Sequence, residues 1–167
     1  MTGNFSVRPV VYEGSRRLGD FSWMRHQPEF VRSLFVFNDN EEQFVAFEEG
    51  RPSGISAGGG NAIARPWQGE APPRSTGIPT GRHGEGYASL DDSVIAVLTR
   101  AFARVQALVD TGQYDTLIFS RAKGSESLGV GIFSPDPDLC RLVYQVLMAV
   151  RPGAPPWSSG GTGVTRP

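Results

Sequence analysis

Short apolar runs in this chain alternate with stretches of helical periodicity. Leu34-Phe35-Val36-Phe37 is unbroken and stops at Asn38-Asp39-Asn40. A strand buried on both faces has this form, with polar residues where it leaves the sheet. Asp115-Thr116-Leu117-Ile118-Phe119-Ser120 predicts a second such strand, and Thr76 to Thr80 a shorter one. Val7 to Tyr12 is a fourth, placed at an edge or an early position because Pro9 has no N–H to donate. Val94, Val97, Leu98, Ala101, Phe102, Val105, Leu108 and Val109 follow the i, i+3, i+4, i+7 rule. That spacing predicts a long helix, capped by Ser89, with Asp91 and Asp92 in its first turn and Gly112 at its end. Leu139, Leu142, Val143, Val146, Leu147 and Val150 predict a last helix over Pro135 to Val150. Pro28 opens a short helix through Ser33, and Glu41 to Glu49 fits either a helix or an ordered loop.

Strands alternating with helices imply an α/β fold, expected as three α/β/α layers around a mostly parallel central sheet. One domain is expected over residues 1–151. Residues 152–167, rich in Gly, Pro and Ser, are expected to form a flexible tail. Ligands of open α/β sheets bind beyond the carboxyl ends of the strands, so the loops there carry the functional question.

Two of those loops are rich in glycine. Ser56-Ala57-Gly58-Gly59-Gly60-Asn61-Ala62 precedes a run that reads as a helix start. Three glycines in a row let another group approach their N–H groups closely, and a helix N-terminus behind them favours an anion. The alternative is a tight turn before a helix. Gly124-Ser125-Glu126-Ser127-Leu128-Gly129-Val130-Gly131 follows the strand ending at Ser120. Two such loops can face one cleft and hold a phosphate between them. Neither matches Gly-x-Gly-x-x-Gly or the Walker pattern. A third segment, Gly81 to Tyr87, reads as a flexible loop.

Asn38-Asp39-Asn40 can read a ribose hydroxyl or form an Asx turn, and Asp39 is the strongest single acid for general-base chemistry. Gly54-Ile55-Ser56-Ala57-Gly58 has the spacing of a nucleophile elbow. No strand precedes it, however, and only Glu70 and His83 follow as an acid and a histidine in that chain order. Arg65, Arg82 and Arg121 are candidate pyrophosphate partners. Trp67 and Tyr87 either stack on a base or pack loops onto the core.

Composition narrows the classes. The 167 residues are 39% hydrophobic and 20% charged, with a formal net charge of -1, which exerts no pull toward nucleic acid or an anionic membrane. The single cysteine, Cys140, allows no intrachain disulfide and fits a reducing compartment. No stretch approaches the roughly 18 apolar residues of a membrane span. Met1 to Val7 lacks the order of a signal peptide, so a cytoplasmic protein is expected. His26, His83 and Cys140 have no metal-ligand spacing, and neither a metal nor a cofactor is expected.

The order of motifs is similar to that of macrodomains, the α/β/α domains that bind ADP-ribose. A strand ending in Asn-Asp-Asn is followed by Gly-Gly-Gly-Asn-Ala, then Ile-Pro-Thr-Gly, a long helix, a strand and a Gly-x-Gly loop. More narrowly it resembles a macrodomain-like family of bacterial and phage proteins, over about Leu34 to Val150. The resemblance implies that Asn38 and Asn40 approach the distal ribose and that Gly58, Gly59, Gly60 and Asn61 form the first ligand loop. Gly129, Val130 and Gly131 match the phosphate-binding loop, while Thr80 and Arg65 are placed in the ligand set. Where the lysine-dependent glycohydrolase branch has a lysine after Ile78-Pro79-Thr80, this chain has Gly81, so a Schiff-base mechanism is not implied. The function expected is binding of ADP-ribose or a related nucleotide diphosphate. Hydrolysis of an ADP-ribosyl derivative, through Asp39 or a water held by Asn61, is the catalytic extension. The rival is an interaction or assembly module that keeps the fold without a ligand.

Overall fold

The computed structural model describes residues 3–131 and 133–160. In chain order it has β1 (Ser6–Val10), α1 (Phe21–Met24), β2 (Ser33–Asn40), α2 (Glu41–Glu48), β3 (Ser75–Arg82), β4 (Glu85–Gly86), α3 (Asp92–Asp110), β5 (Thr116–Ser120) and α4 (Pro137–Met148). Turns of 3-10 helix cover Pro28–Phe30, Pro52–Ile55 and Gly60–Gly69. The sheet order is β1-β5-β2-β3-β4. The first four strands are parallel, and β4 is antiparallel to β3. This is an α/β fold. β1 is an edge strand, which is where Pro9 is tolerated.

The unbroken apolar run of β2 is explained by the two faces it serves. Leu34 and Val36 join the cluster built with α3 and α4. Phe35 and Phe37 join a second cluster with Phe21, Met24, Phe30 and Ala64. Side chains alternate with a period of two, so a central strand covered on both faces needs apolar residues at every position. β5 splits in the same way, Leu117 and Phe119 to the first cluster and Ile118 to the second. Each fully buried phenylalanine stabilises the fold by roughly 1.5–3 kcal/mol.

The two covers are unlike. α3 and α4 lie on the first face, whereas α1 and the 3-10 turns of Gly60–Gly69 supply much of the second. The helix start expected after Gly60 is a 3-10 run with Pro66 inside it. In an α-helix that proline would lose a hydrogen bond and its ring would strike the carbonyl four residues back.

Three local expectations change. The cap of α3 is Asp91, whose Oδ1 accepts from the Val94 N–H at 2.9 Å, and not Ser89. Gly81 to Tyr87 is a hairpin: Arg82 pairs with Glu85 around His83 and Gly84, both at positive φ. Two successive positive φ values are what a two-residue type I′ turn requires. Part of the expected tail is packed. The Gly153 N–H donates to Asp110 at 2.9 Å, and the Trp157 ring meets Phe102 at 5.4 Å. Residues 161–167 lie outside the described residues.

Candidate functional site

β2 and β5 are neighbours, so their carboxyl ends bring Asn38-Asp39-Asn40 beside Ser120 and the bend that follows it. Ser120 ties both glycine-rich bends to this rim. Its hydroxyl oxygen accepts from Asn61 Nδ2 at 3.0 Å, and its carbonyl accepts from the Gly129 N–H at 2.8 Å. Asn38 Nδ2 adds a bond to the Gly129 carbonyl at 2.7 Å, which joins β2 to the second bend. The two bends therefore meet at one end of the sheet. Ser120 was not singled out from sequence; the only signal was its place as the polar residue closing an apolar run.

Asp39 is not an accessible base. Its side chain is 0% exposed, and Oδ1 accepts from Arg65 Nε at 3.0 Å, Arg65 Nη2 at 2.7 Å and the Asn40 N–H at 2.8 Å. Oδ2 is buried with no hydrogen-bond partner among the described residues. Burial raises its pKa above the usual carboxylate value, while the hydrogen bonds and charge of Arg65 pull it down. A general base must come within reach of a substrate proton, and this carboxylate faces the protein interior. Arg65 is committed as well, since its Nη1 donates to the Ser56 carbonyl at 2.9 Å. It is the internal counter-ion of Asp39 and not a phosphate partner.

Asn61 is also engaged. Its Oδ1 accepts from the Phe21 N–H at 3.3 Å, and Nδ2 donates to the Gly19 carbonyl at 3.0 Å as well as to Ser120. The amide is thus a clamp between the first bend, β5 and the segment entering α1. Asn40 caps α2 by accepting from the Gln43 N–H at 2.9 Å, and the buried Thr80 hydroxyl reaches the Asp39 carbonyl at 3.4 Å. Asn40 and Thr80 each serve a structural bond.

Main-chain donors divide along the first bend. The Gly58 N–H is taken by the Ala62 carbonyl at 3.0 Å, and that of Gly129 by Ser120, so the expectation of open amides fails at both. The N–H groups of Gly59, Gly60 and Asn61 have no acceptor among the described residues. A Cβ on Gly58 would lie 2.9 Å from Arg65 Nη1, whereas one on Gly59 or Gly131 would meet nothing within 4 Å. Gly58 makes room for a guanidinium, and its neighbour faces open space. Val130 is an exposed apolar residue on the second bend.

The nucleophile-elbow spacing has no catalytic geometry. Ser56 donates its hydroxyl to the Pro52 carbonyl at 3.3 Å after a 3-10 turn, and Glu70 is paired with Arg25 at 2.7 Å. At the β3–β4 hairpin a cavity of about 190 Å³ is lined by Arg82, His83, Glu85, Tyr87 and Asp91. The Tyr87 hydroxyl is buried there without a partner among the described residues, and burial pushes its pKa up. Arg82 sits within 3.7 Å of Glu41 and 3.8 Å of Asp91. Trp67 packs edge-on against Phe35 at 5.8 Å and under Arg25 at 4.3 Å, so it is a packing residue. Among the described residues no group of three or more His, Cys, Asp or Glu is placed to hold a metal ion, and no helix is long and apolar enough to cross a membrane. Against protein-family models, curated proteins and solved structures, the chain finds no match.

Proposed function

We propose that this protein binds a phosphorylated small molecule of the ADP-ribose or nucleotide-diphosphate type at the carboxyl rim of its sheet, in the cytoplasm. One observation carries the reading. Three successive N–H groups, of Gly59, Gly60 and Asn61, have no acceptor among the described residues, on a bend that the Asn61 side chain fastens to Ser120. Donors held in place before the ligand arrives stabilise an anion without the cost of rearranging. The second bend is fixed to the same serine and stands at the same rim. The similarity of the motif order to macrodomains supports the same ligand class. In this reading Asp39, Arg65 and Asn61 keep the rim in shape, and the activity is binding.

Calorimetric titration with ADP-ribose, ADP and adenosine tests it. ADP-ribose is expected to bind, and Gly59→Glu to abolish binding with the melting temperature unchanged. The backbone there has φ -78, and the new side chain points into open space, so the carboxylate repels the anion without disturbing the fold. No heat with ADP-ribose, or wild-type affinity in Gly59→Glu, overturns the reading and favours a module that uses the fold for protein contacts.

A further inference from the structure

Long side chains join α2 to α3. Arg100 closes on the Glu48 carboxylate, with Nε 3.0 Å from Oε2 and Nη2 3.2 Å from Oε1. One turn further along α3, the Arg104 guanidinium lies over the Phe47 ring at 4.5 Å. Residues four apart share a helix face, so Leu108 continues the row of Arg100 and Arg104. Between that row and the end of α2 is a groove of about 500 Å³, lined by Phe47, Glu48, Arg104, Ala107 and Leu108. Much of its lining is apolar: Phe47 and Leu108 are half-buried, and Ala107 is exposed. The α2 side is fixed, because a Cβ on Gly54 would stand 2.3 Å from the Phe47 nitrogen, so the turn after α2 packs on that backbone.

The two arginines are used differently. Both oxygens of Glu48 accept from Arg100. Arg104 has neither an ion pair nor a hydrogen-bond acceptor for its side chain among the described residues; its Nε is enclosed and its Nη atoms are not. Neighbouring acids are spent as well. Glu49 pairs with Arg51 at 2.8 Å, and Asp110 accepts from Gln106 Nε2 at 2.8 Å and the Gly153 N–H at 2.9 Å. Burial lowers the Arg104 pKa, with Tyr114 and Glu48 opposing. A half-buried cation without a counter-ion costs the free protein, and a carboxylate reaching its Nη atoms relieves that cost with a charge-assisted bond.

We infer that this groove docks a peptide segment of a partner protein, with one carboxylate on Arg104 and a neighbouring apolar side chain on Phe47 and Leu108. α3 ends just before β5 begins, at the opposite end of the sheet from the carboxyl rim, so the inference does not rest on the ligand proposed there. An apolar lining beside a single free cation suits an acid flanked by an apolar residue. Glu48 lines the same groove, and its charge repels a phosphate dianion more than a carboxylate. Small ligands are held in concave sites that bury most of their surface, whereas an open groove between helices suits a peptide.

The test follows backbone amide NMR shifts in wild type, Arg104→Gln and Ala107→Glu. The probes are acetyl-Leu-Glu-Phe-amide, its Gln and phosphoserine counterparts, and phenylacetate, a small carboxylate without a peptide backbone. The Glu peptide is expected to shift Phe47, Ala107 and Leu108 and to bind at least about tenfold more tightly than the Gln peptide, the usual scale for a hydrogen bond to a charged group. Arg104→Gln should erase that preference. Ala107→Glu puts a second carboxylate on the exposed wall in a residue type that favours helices, so it should abolish binding with the fold retained, and it decides if Arg104→Gln does not fold. No shift at these residues, or wild-type affinity in either folded variant, overturns the inference. So does tighter binding of the phosphoserine peptide, which marks a phosphate site, or equal binding of phenylacetate, which marks a small-molecule site. Both variants should bind ADP-ribose as wild type does, so failure at either site leaves the reading of the other standing.

Discussion

Beneath the first glycine-rich bend, Arg65 spends its guanidinium on Asp39 and the Ser56 carbonyl, in the space that Gly58 leaves for want of a Cβ. Beside the second bend, Arg121 has an enclosed Nε with no hydrogen-bond partner among the described residues. One arginine completes the interior; the other is half-buried. The contrast extends to adjacent glycines, since Gly58 is closed over by a side chain and Gly59 faces open space. The same residue types therefore divide into those that hold the rim together and those that make no such contact. Burial and partners draw that line; residue type does not.

The largest effect expected is on the buried pair. Arg65→Ala strands the Asp39 carboxylate in the interior and should cost about 3–5 kcal/mol in urea denaturation, with Asp39→Asn in the same chain recovering part of the loss. A cost below about 1 kcal/mol, the scale of an exposed pair, would mean that this pair does not hold the rim. The next effect sets the two glycines against each other. Gly58→Ala brings a methyl group to 2.9 Å from Arg65 Nη1 and 3.0 Å from the Ala62 Cβ. It should destabilise by about 1–3 kcal/mol. Gly59→Ala, at φ -78 with nothing near, should be neutral or stabilise by up to about 1 kcal/mol through the unfolded chain. Equal effects at both positions would erase the distinction.

The smallest effect is one of pH. Burial raises the pKa of Asp39 in the folded protein above its unfolded value, with Arg65 opposing. The folded state then holds this proton more tightly. Its contribution to stability is full below the ordinary carboxylate pKa and is lost as pH rises through the raised folded value. Urea midpoints measured from acid toward neutrality should therefore fall for wild type relative to Asp39→Asn. A relative rise would show that Arg65 outweighs burial and that the carboxylate is held below its usual range.

The strands at β2 and β5 and the long helix α3 were legible because each is written in a local period. A strand covered on both faces is apolar throughout, and a helix repeats its apolar face every three or four residues. The hairpin at Arg82 to Glu85 carried its own signal, with Gly84 after a histidine able to take positive φ, yet the glycines made it read as a loop. The cap of α3 was misplaced by two residues because Ser89 and Asp91 are equally good capping types, and only the Val94 N–H chooses between them. The second cover of the sheet was less legible. Apolar residues in Gly60–Gly69 do not announce a 3-10 run, and Trp157 gives no sign in its Gly- and Pro-rich setting that Phe102 awaits it.

The candidate site shows the same limit at finer scale. Glycine-rich bends and Asn-Asp-Asn at a strand end pointed to a single rim, and the bends do meet there, because parallel strands leave their polar residues at that end. What each residue does at that rim depended on partners far away in the chain: Arg65 lies 26 residues from Asp39, and Asn61 lies 59 from Ser120. The sequence by itself determined an α/β chain with its glycine-rich and polar segments at the carboxyl ends of the strands, since hydrophobic period and strand termini are local properties. Only the tertiary structure decided which polar groups are spent on one another and which remain open. That allocation is made by burial, which demands a partner for every enclosed charge and finds it across the fold.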